Sequence, residues 1–308
     1  MTSADRRIAA VVVTFNRLEL LQRLIPRLAQ SKGLDEILVV DNASSDGTAE
    51  WLRAQVETSA VLVHTRHLKE NTGGAGGFHD GLGWAVERGA DLVWLMDDDG
   101  LPDLDCLARL LEREGALDFW GPVVVDQDDE SRLVFPIRLP GGAKAVHALS
   151  DAEAAARDGL IADVVIPFNG VLLTRDLVER IGLPRAEFFI WGDDVEYLWR
   201  ARRAGARTGT VVDARVRHPA VGALGTPMAF GRTTYNDTPS DLKHYCMARN
   251  NLLNLREYGG RAHAAAFVAK TLWFYTFTHR NPARIRLSIE AWRAARRGDF
   301  TGHRRFLA

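Results

Sequence analysis

Three consecutive aspartates, Asp97, Asp98 and Asp99, directly follow the apolar segment "LVWLM". Side chains alternate across a strand, so Asp97 and Asp99 can point the same way while Asp98 points away or forms local hydrogen bonds. Mg²⁺ and Mn²⁺ typically bind one or two carboxylates together with phosphate oxygens of a substrate. The cluster therefore predicts a divalent cation bridged to a diphosphate. The alternative is a solvated acidic loop or a calcium turn, although the sequence lacks the spaced acidic ladder of an EF-hand.

A second acidic group, Asp193, Asp194 and Glu196, opens a predicted helix in "WGDDVEYLWR". The positive end of the helix dipole favours carboxylates there, which is the simpler explanation. The apolar and aromatic residues before it, 188–191, suggest the wall of a partly dry pocket. In such a pocket a carboxylate can act as a general base.

Other residue types that bind metals are sparse. His218 ends a predicted strand in "VRHPA" and is a candidate third ligand through its imidazole, although a lone histidine is more often a structural hydrogen-bonding residue. Cys106 and Cys246 lie far apart without metal-type spacing, so we expect free thiols in a reducing compartment and no zinc site.

The segment "NTGGAGGFHDG" is rich in glycine and opens a predicted helix. Its first glycines, Gly73 and Gly74, can expose backbone amides that hold a phosphate or a sugar at the helix start. The spacing is not the G-x-G-x-x-G of nicotinamide-binding domains after a first strand. The alternative is a tight turn that only packing requires.

The elements that must position these residues alternate along the first 120 or so positions. Strand-like segments 8–15, 36–42, 60–66 and 91–97 alternate with amphipathic helical segments. This order predicts right-handed crossovers and a doubly wound, mostly parallel α/β sheet with helices on both faces. Ligands of such sheets bind at the carboxyl ends of the strands, which is where the aspartate triplet lies.

The remaining chain is less regular. Alternation loosens after Gly121 into a turn-rich part, and residues from 241 on are helical, including "YCMARNNLLNLREYG". We therefore expect a nucleotide-binding α/β domain over 1–220 and a helical, basic C-terminal region over 221–308.

Composition limits the class of protein. The 308 residues are 46% apolar, which provides a core and excludes a disordered chain. The net charge of −1 does not suggest a nucleic-acid partner. The first apolar segment reaches Asn16 and Arg17 too soon for a signal peptide, and the stretch nearest to a membrane span is interrupted by Lys270. We expect a cytoplasmic protein.

The C-terminal segment 279–308 contains eight arginines against two acidic residues. With the aromatic stretch "FVAKTLWFYTF" before it, this segment is predicted to bind the anionic inner face of the plasma membrane peripherally. The alternative is an arginine-rich helix that packs on the catalytic domain or on a partner in a homo-oligomer. The arginines predicted to supply the positive charge for membrane binding are Arg280, Arg284, Arg286, Arg293, Arg296 and Arg297.

In this order the motifs resemble the inverting glycosyltransferases of family 2, which have the GT-A fold. The resemblance covers roughly residues 8–220. Within that family, "NTGGAGGF", "WLMDDDG" and "WGDDVEY" look most like bacterial galactofuranosyltransferases of cell-wall galactan synthesis. The remaining matching segments are "VVVTFNR", "VVDNASSDGT", "NGVLLTRDLVERIG" and "RHPA".

The resemblance implies roles for individual residues. Asp194 matches the catalytic base, and Asp97, Asp99 and His218 match the metal and diphosphate site. The acceptor hydroxyl should lie near Asn169, Gly170, Trp191 and Asp193. The residues expected to bind the donor are Thr14, Arg17, Asp41, Asn71, Gly73, Gly74 and Asp98.

The function implied is transfer of galactofuranose from UDP-galactofuranose to a polyprenyl-diphosphate-linked glycan, with Mn²⁺ or Mg²⁺. The chain lacks the large extra domains of the polymerising enzyme, which favours the addition of one or two sugars. A rhamnosyltransferase using dTDP-rhamnose is the main alternative. A sugar nucleotidyltransferase would need a basic glycine-rich loop after the first strand, where "TFNRLEL" stands, and a binding or scaffold protein would not need Asp194.

Overall fold

The computed structural model describes residues 6–59, 61–140, 145–166, 168–221 and 225–307. By their contacts the residues form two compact units. The first consists of Met1–Pro184 and Tyr197–Ala220, and the second of Arg185–Glu196 and Val221–Ala308. The predicted division into a catalytic domain over 1–220 and a helical, basic C-terminal region over 221–308 stays a prediction.

A large mixed sheet dominates the first unit. The order of its strands along the main path is β3-β2-β1-β4-β10-β6-β11-β5. Strands β3, β2, β1 and β4 are parallel to one another, as are β6 and β11, while β10 runs antiparallel to β4 and β6. The strands are β1 (Ile8–Thr14), β2 (Glu36–Asp41), β3 (Leu62–His67), β4 (Leu92–Asp97), β5 (Leu101–Pro102), β6 (Phe119–Asp126), β7 (Arg132–Arg138), β8 (Ala145–Ala148), β9 (Leu160–Ala162), β10 (Asn169–Thr174) and β11 (Thr208–His218).

Helices cover both faces of the sheet because successive side chains of its strands point to opposite faces and are apolar on each. In β1, Ala10 and Val12 belong to one buried cluster with side chains of α1, α2 and α4, whereas Ala9 and Val11 belong to another with α3, α6 and α7. The helices are α1 (Leu18–Leu28), α2 (Thr48–Thr58), α3 (Gly73–Glu87), α4 (Cys106–Leu111), α5 (Leu149–Ala155), α6 (Arg175–Ile181) and α7 (Asp193–Arg203).

The second unit is mainly helical and has its own cores. One groups Tyr245, Ala248 and Trp292 with Phe189, and another groups Tyr235, Phe274 and Tyr275. Its elements are a 3₁₀ turn (Ala186–Phe188), strands β12 (Thr226–Met228) and β13 (Thr233–Tyr235), helices α8 (Asp241–Asn254), α9 (Gly260–Trp273) and α10 (Pro282–Arg297), π-helical turns after α8 and α9, and a final 3₁₀ turn (Gly302–Phe306).

The fold prediction is confirmed. The sheet is mixed, and its four neighbouring strands β3, β2, β1 and β4 are parallel. Helices lie on both faces of the sheet, and a helical region follows along the chain. Cys106 and Cys246 are free thiols, as expected, and the structure buries both. No helix among the described residues combines the length and apolar composition needed to cross a bilayer.

Candidate active site

The parallel strands of the first unit bring several predicted residues to one edge of the sheet. Thr14, the last residue of β1, pairs in register with Asp41, the last residue of β2. On its opposite edge β1 pairs with β4, where Val13 is in register with Asp97, the last residue of β4. Because these strands are parallel, their carboxyl ends meet at the edge where open α/β sheets bind ligands.

Asp98 links the end of β4 to the end of β1. Its Oδ2 accepts a hydrogen bond from Thr14 Oγ1 at 2.7 Å, and its Oδ1 lies 3.1 Å from Arg17 Nη1. Burial raises the pKa of the Asp98 carboxyl, and the Thr14 and Arg17 contacts oppose this effect only in part. Asp98 is therefore hydrogen-bonded, but its partners are far away in sequence and not local as predicted, and both were expected to bind the donor.

Asp99 lies between two cationic groups. Its Oδ2 accepts from Arg17 Nη1 at 2.6 Å, and its Oδ1 lies 3.1 Å from His218 Nε2. Burial alone would raise the pKa of Asp99, but the hydrogen bond and charge of His218, and then those of Arg17, outweigh it and lower the pKa to about 2. Burial would lower the pKa of His218, and the bond and charge of Asp99 raise it instead. Asp99 is thus ionised throughout the physiological range.

The hydrogen bonding of His218 decides which of its nitrogens can bind a metal. Its Nδ1 lies 2.7 Å from the carbonyl oxygen of Pro219, which can only accept, so Nδ1 carries a proton. In the charged ring Nε2 also carries a proton, which faces the Asp99 carboxylate, and loss of that proton leaves the Nε2 lone pair able to bind a metal. The neutral tautomer protonated on Nδ1 is the one that an Nε2 metal ligand requires, and the hydrogen bond to the Pro219 carbonyl fixes it.

Asp99 and His218 therefore fit a divalent cation that a donor diphosphate would help to coordinate. The structure does not present a complete three-ligand site: within the described residues, no group of three or more His, Cys, Asp or Glu side chains is arranged to hold a metal ion. The expected participation of Asp97 stays a prediction.

Three further hydrogen bonds at this edge were not foreseen from the sequence. The buried Asp41 accepts at Oδ2 from His67 Nδ1, 2.9 Å away, so an imidazole at the end of β3 orients it. Asn42 joins β2 to the start of α3, because its Nδ2 donates to Gly73 O at 2.8 Å and its Oδ1 accepts from Thr72 N at 2.8 Å. The nearest signal in the sequence is that Asp41 and His67 end predicted or observed strands and Asn42 directly follows one.

The glycine-rich segment serves packing more than was predicted. A Cβ on Gly77 would lie 2.4 Å from Val13 Cγ1, and one on Gly76 would lie 2.4 Å from Thr72 Cβ, so both glycines allow close packing around the start of α3. Gly74 differs, because a Cβ there would meet nothing within 4 Å. Asn71 Oδ1 accepts from Gly73 N at 2.8 Å, and that amide is therefore already bonded.

The structure places Asn169 beside the aspartate edge. It begins β10 and pairs with Met96, the residue before Asp97 on the neighbouring strand. Gly170 follows at a break in register with a φ of 79°, and its carbonyl accepts from the buried Trp94 Nε1 at 2.9 Å. Gly170 thus has a clear structural role, and its predicted contact with the acceptor is untested.

Asp193 and Asp194 open α7 in the second unit. Asp193 is buried, with 6% of its surface exposed, and Asp194 is partly buried, with Oδ1 accepting from Val195 N at 2.7 Å. Burial, and then the charge of Asp194, raises the pKa of Asp193, and burial raises the pKa of Asp194. A pair in this state can hold or accept a proton near neutral pH.

The aromatic residues before this pair do not all form the pocket wall that was predicted. Phe188 is fully buried and stacks on Phe300 at 5.9 Å between ring centroids, and Phe189 lies 4.4 Å from the His303 ring. Both are core residues of the second unit because their rings are packed inside it. Trp191 remains partly exposed.

Comparison with known proteins gives a consistent result. Residues 9–151 match the family model for glycosyl transferase family 2. The galactofuranosyltransferase GlfT1 of Mycobacterium tuberculosis is 34% identical over 298 residues, covering 94% of this chain and 96% of the relative. The dTDP-rhamnosyl transferase RfbF of Shigella flexneri is 24% identical over 258 residues, covering 82% and 81%.

Among solved structures, the mannosyltransferase PcManGT from Pyrobaculum calidifontis, in complex with GDP-Man and Mn²⁺, matches with a TM-score of 0.56. The match covers 99% of this chain and 79% of that one at 18% identity, so the likeness shows a shared fold. The family resemblance seen in the motifs is confirmed by the relatives that match nearly the whole chain. The chain belongs to glycosyltransferase family 2 and is a glycosyltransferase.

Proposed function

We propose that the chain is a metal-dependent inverting galactofuranosyltransferase. In this proposal the donor is UDP-galactofuranose and the acceptor is a polyprenyl-diphosphate-linked glycan of cell-wall or surface polysaccharide synthesis. The observation that carries it is the 34% identity to a galactofuranosyltransferase over 94% of the chain. The similarity to the rhamnosyl transferase is lower, at 24%.

The donor would be held at the carboxyl edge of the sheet. Asp99 and His218 would hold the cation with the diphosphate oxygens, and Asp97 is the further ligand that the family resemblance implies. A bound divalent cation supplies charge neutralisation for the leaving diphosphate. Thr14, Arg17, Asp41 and Asn71, with Gly73, Gly74 and Asp98 beside them, would hold the nucleotide and its phosphates.

The chemical step would be one displacement. The acceptor O–H bond breaks and its proton passes to the carboxylate of Asp194, while the oxygen forms a bond to the anomeric carbon of the donor. The bond between that carbon and the diphosphate oxygen breaks at the same time, so the configuration inverts. The raised pKa of Asp194 supports this role, because a base with a pKa closer to neutrality accepts a proton more readily. Asn169, Gly170, Trp191 and Asp193 would contact the acceptor.

A peripheral membrane contact would bring the enzyme to a lipid-linked acceptor. Trp273 and Phe277 are 46% and 61% exposed, and their ring centroids lie 4.7 Å apart on the second unit. Such an exposed aromatic pair suits the interfacial layer of a bilayer. Arg284, one of the arginines assigned to this surface, is buried and paired with Asp241 at 2.8 Å, so it is not available to lipid.

The test is to incubate purified enzyme with Mn²⁺, a lipid-linked acceptor analogue ending in rhamnose, and either UDP-galactofuranose or dTDP-rhamnose. Mass spectrometry and nuclear magnetic resonance would identify the product and its linkage. A β-linked galactofuranose product supports the proposal. Transfer of rhamnose without galactofuranose would replace it with the rhamnosyltransferase alternative.

A further inference from the structure

The backbone before the Asp193–Asp194 pair has an unusual conformation. Phe189, Trp191 and Gly192 have φ angles of 65°, 73° and 87°. Two of these three residues carry a Cβ, and such residues rarely adopt a left-handed conformation. They keep it only where the surroundings hold them there. The contacts of this loop, residues 188–192, therefore show what fixes the start of α7.

Side chains on one face of α8 form hydrogen bonds to the backbone carbonyl groups of this loop. Asn250 Nδ2 lies 3.1 Å from Phe188 O, 3.2 Å from Ile190 O and 2.8 Å from Trp191 O. One helical turn later, Asn254 Nδ2 donates to Gly192 O at 2.8 Å. Residues four apart lie on the same face of a helix, so both amides reach the same loop.

Arg249 fixes which way the Asn250 amide points. Its Nε donates to Asn250 Oδ1 at 2.8 Å, and its Nη2 donates to Phe188 O at 2.9 Å. A guanidinium can only donate and a carbonyl can only accept, so Oδ1 must face Arg249 and Nδ2 must face the loop. Arg249, Asn250 and Asn254 are all 0–1% exposed. We call these three residues the loop clamp.

We infer that the loop clamp positions the catalytic carboxylates, which is a role that rests on the proposed function of Asp194. The clamped carbonyls belong to residues 188 and 190–192, and Gly192 directly precedes Asp193. The carbonyl of Gly192 also accepts from Glu196 N at 3.0 Å, so the bond from Asn254 is made at the first turn of α7. The clamp residues act through this loop.

The expected consequence follows from the geometry of proton transfer. Without the Asn254 amide, the buried Gly192 carbonyl loses a donor, and the left-handed backbone beside it loses one of the contacts that hold it. A displacement of about 1 Å in a reacting group can lower a rate by about 100-fold. The residues expected to bind the donor belong to the first unit, so donor binding should not change.

The experiment compares Asn254→Ala and Asn250→Ala with Asn281→Ala as a matched control. Asn281 is in the same unit and accepts from Arg284 N at 3.1 Å to cap α10, so its substitution removes a structural hydrogen bond that does not involve the loop. Each variant is assayed for kcat, for the KM of the donor, and for hydrogen exchange of peptides covering residues 186–196. Asn254→Ala removes one loop contact and is the primary variant, since Asn250→Ala removes three.

We expect kcat to fall at least about 10-fold in both clamp variants, with the donor KM within about twofold of wild type, and exchange to rise in the loop. Asn281→Ala should leave kcat and loop exchange unchanged. Increased exchange without loss of kcat would overturn the inference, because the clamp would then be only structural. An equal loss of kcat in Asn281→Ala would also overturn the inference, because the loss would then reflect general destabilisation of the protein. If the proposed function is wrong, the wild-type protein will show no sugar transfer. Hydrogen exchange of the loop can still be measured in that case, and unchanged exchange in the clamp variants would show that the clamp does not hold the loop.

Discussion

His218 and Asp99 face each other across 3.1 Å, from Nε2 to Oδ1, at the ends of β11 and β4. The carbonyl of Pro219 holds the proton of His218 on Nδ1, so Nε2 is the nitrogen that faces the carboxylate. Without a metal, a charged His218 attracts the Asp99 carboxylate, and once Nε2 loses its proton both groups can bind the same divalent cation. We expect metal and donor binding to depend on this pair.

Asp99→Asn should therefore weaken binding of the donor nucleotide in the presence of Mn²⁺ by about 10-fold or more, because an amide is a poorer ligand than a carboxylate. Isothermal titration with and without a chelator measures the effect. Asp105→Asn is the matched control, since Asp105 is exposed and forms a surface ion pair with Arg109. Equal affinities for the two variants would show that Asp99 does not contribute to a metal site.

Asp194→Asn should lower turnover by about 100-fold or more, with donor affinity little changed, because the amide is nearly isosteric but cannot accept the proton. Asp193→Asn is the paired variant and should mainly raise the KM of the acceptor. Steady-state kinetics with both substrates separates the two effects. The opposite pattern would exchange the roles of the two residues.

The raised pKa values of this pair give a pH dependence of activity. Asp194 must be ionised to accept a proton, and burial raises its pKa. The turnover number should therefore fall as pH is lowered through that pKa, at a pH above the range in which an exposed carboxyl titrates. A pH–rate profile measures this limb. A profile that stays flat down to the ordinary range of an aspartate would argue against a buried base.

Stability should respond to pH in the opposite direction. Burial and the charge of Asp194 raise the pKa of Asp193 to about 8, so the folded state binds more protons than the unfolded state between about pH 4 and pH 8. The stabilising contribution is complete below the unfolded pKa and is lost as pH rises toward 8. Asp193→Asn should raise the melting temperature, by about 2 °C or more, at pH 8 and not at pH 4. Thermal unfolding at both pH values tests this.

The sequence was sufficient for the sheet and for the main edge of the site. The apolar segments 8–15, 36–42 and 91–97 predict parallel strands, whose carboxyl ends must come together. In the structure these strands end at Thr14, Asp41 and Asp97. Which carboxylate faces which partner did not follow from alternation. Asp98 bonds Thr14 and Arg17, while Asp99 faces His218, because the chain turns after the last strand residue and periodicity no longer applies.

Contacts between residues far apart in sequence were the main omission. The segment "ARNNLLNL" was interpreted as a helix, and nothing in it indicates that Asn250 and Asn254 bind a loop about 60 positions earlier. Phe188 and Phe189 were assigned to a pocket wall because aromatic residues suit either a wall or a core. Only packing decides between the two, and here Phe300 and His303 cover them.

Peripheral membrane binding should depend on the exposed aromatic pair and on salt. Trp273→Ala combined with Phe277→Ala should reduce flotation with vesicles that contain anionic lipid, because both rings are exposed. Arg293→Glu should weaken binding further at low salt, each basic residue contributing about 1 kcal/mol near an anionic surface. Flotation that the aromatic substitutions leave unchanged, or an absence of binding at low salt, would favour packing against protein instead.

Two glycine-to-alanine substitutions in the glycine-rich segment can distinguish a role in packing from a role in ligand contact. Gly77→Ala places a Cβ 2.4 Å from Val13 Cγ1, so it should destabilise the protein by about 1–3 kcal/mol through overpacking. Gly74→Ala meets nothing within 4 Å and lies in the first turn of α3, so it should leave stability equal or slightly higher. If the open backbone at Gly74 contacts the donor, Gly74→Ala should nevertheless raise the donor Kd severalfold. Urea unfolding and donor titration of both variants measure the two effects, and an unchanged Kd in Gly74→Ala would leave the segment with a packing role alone.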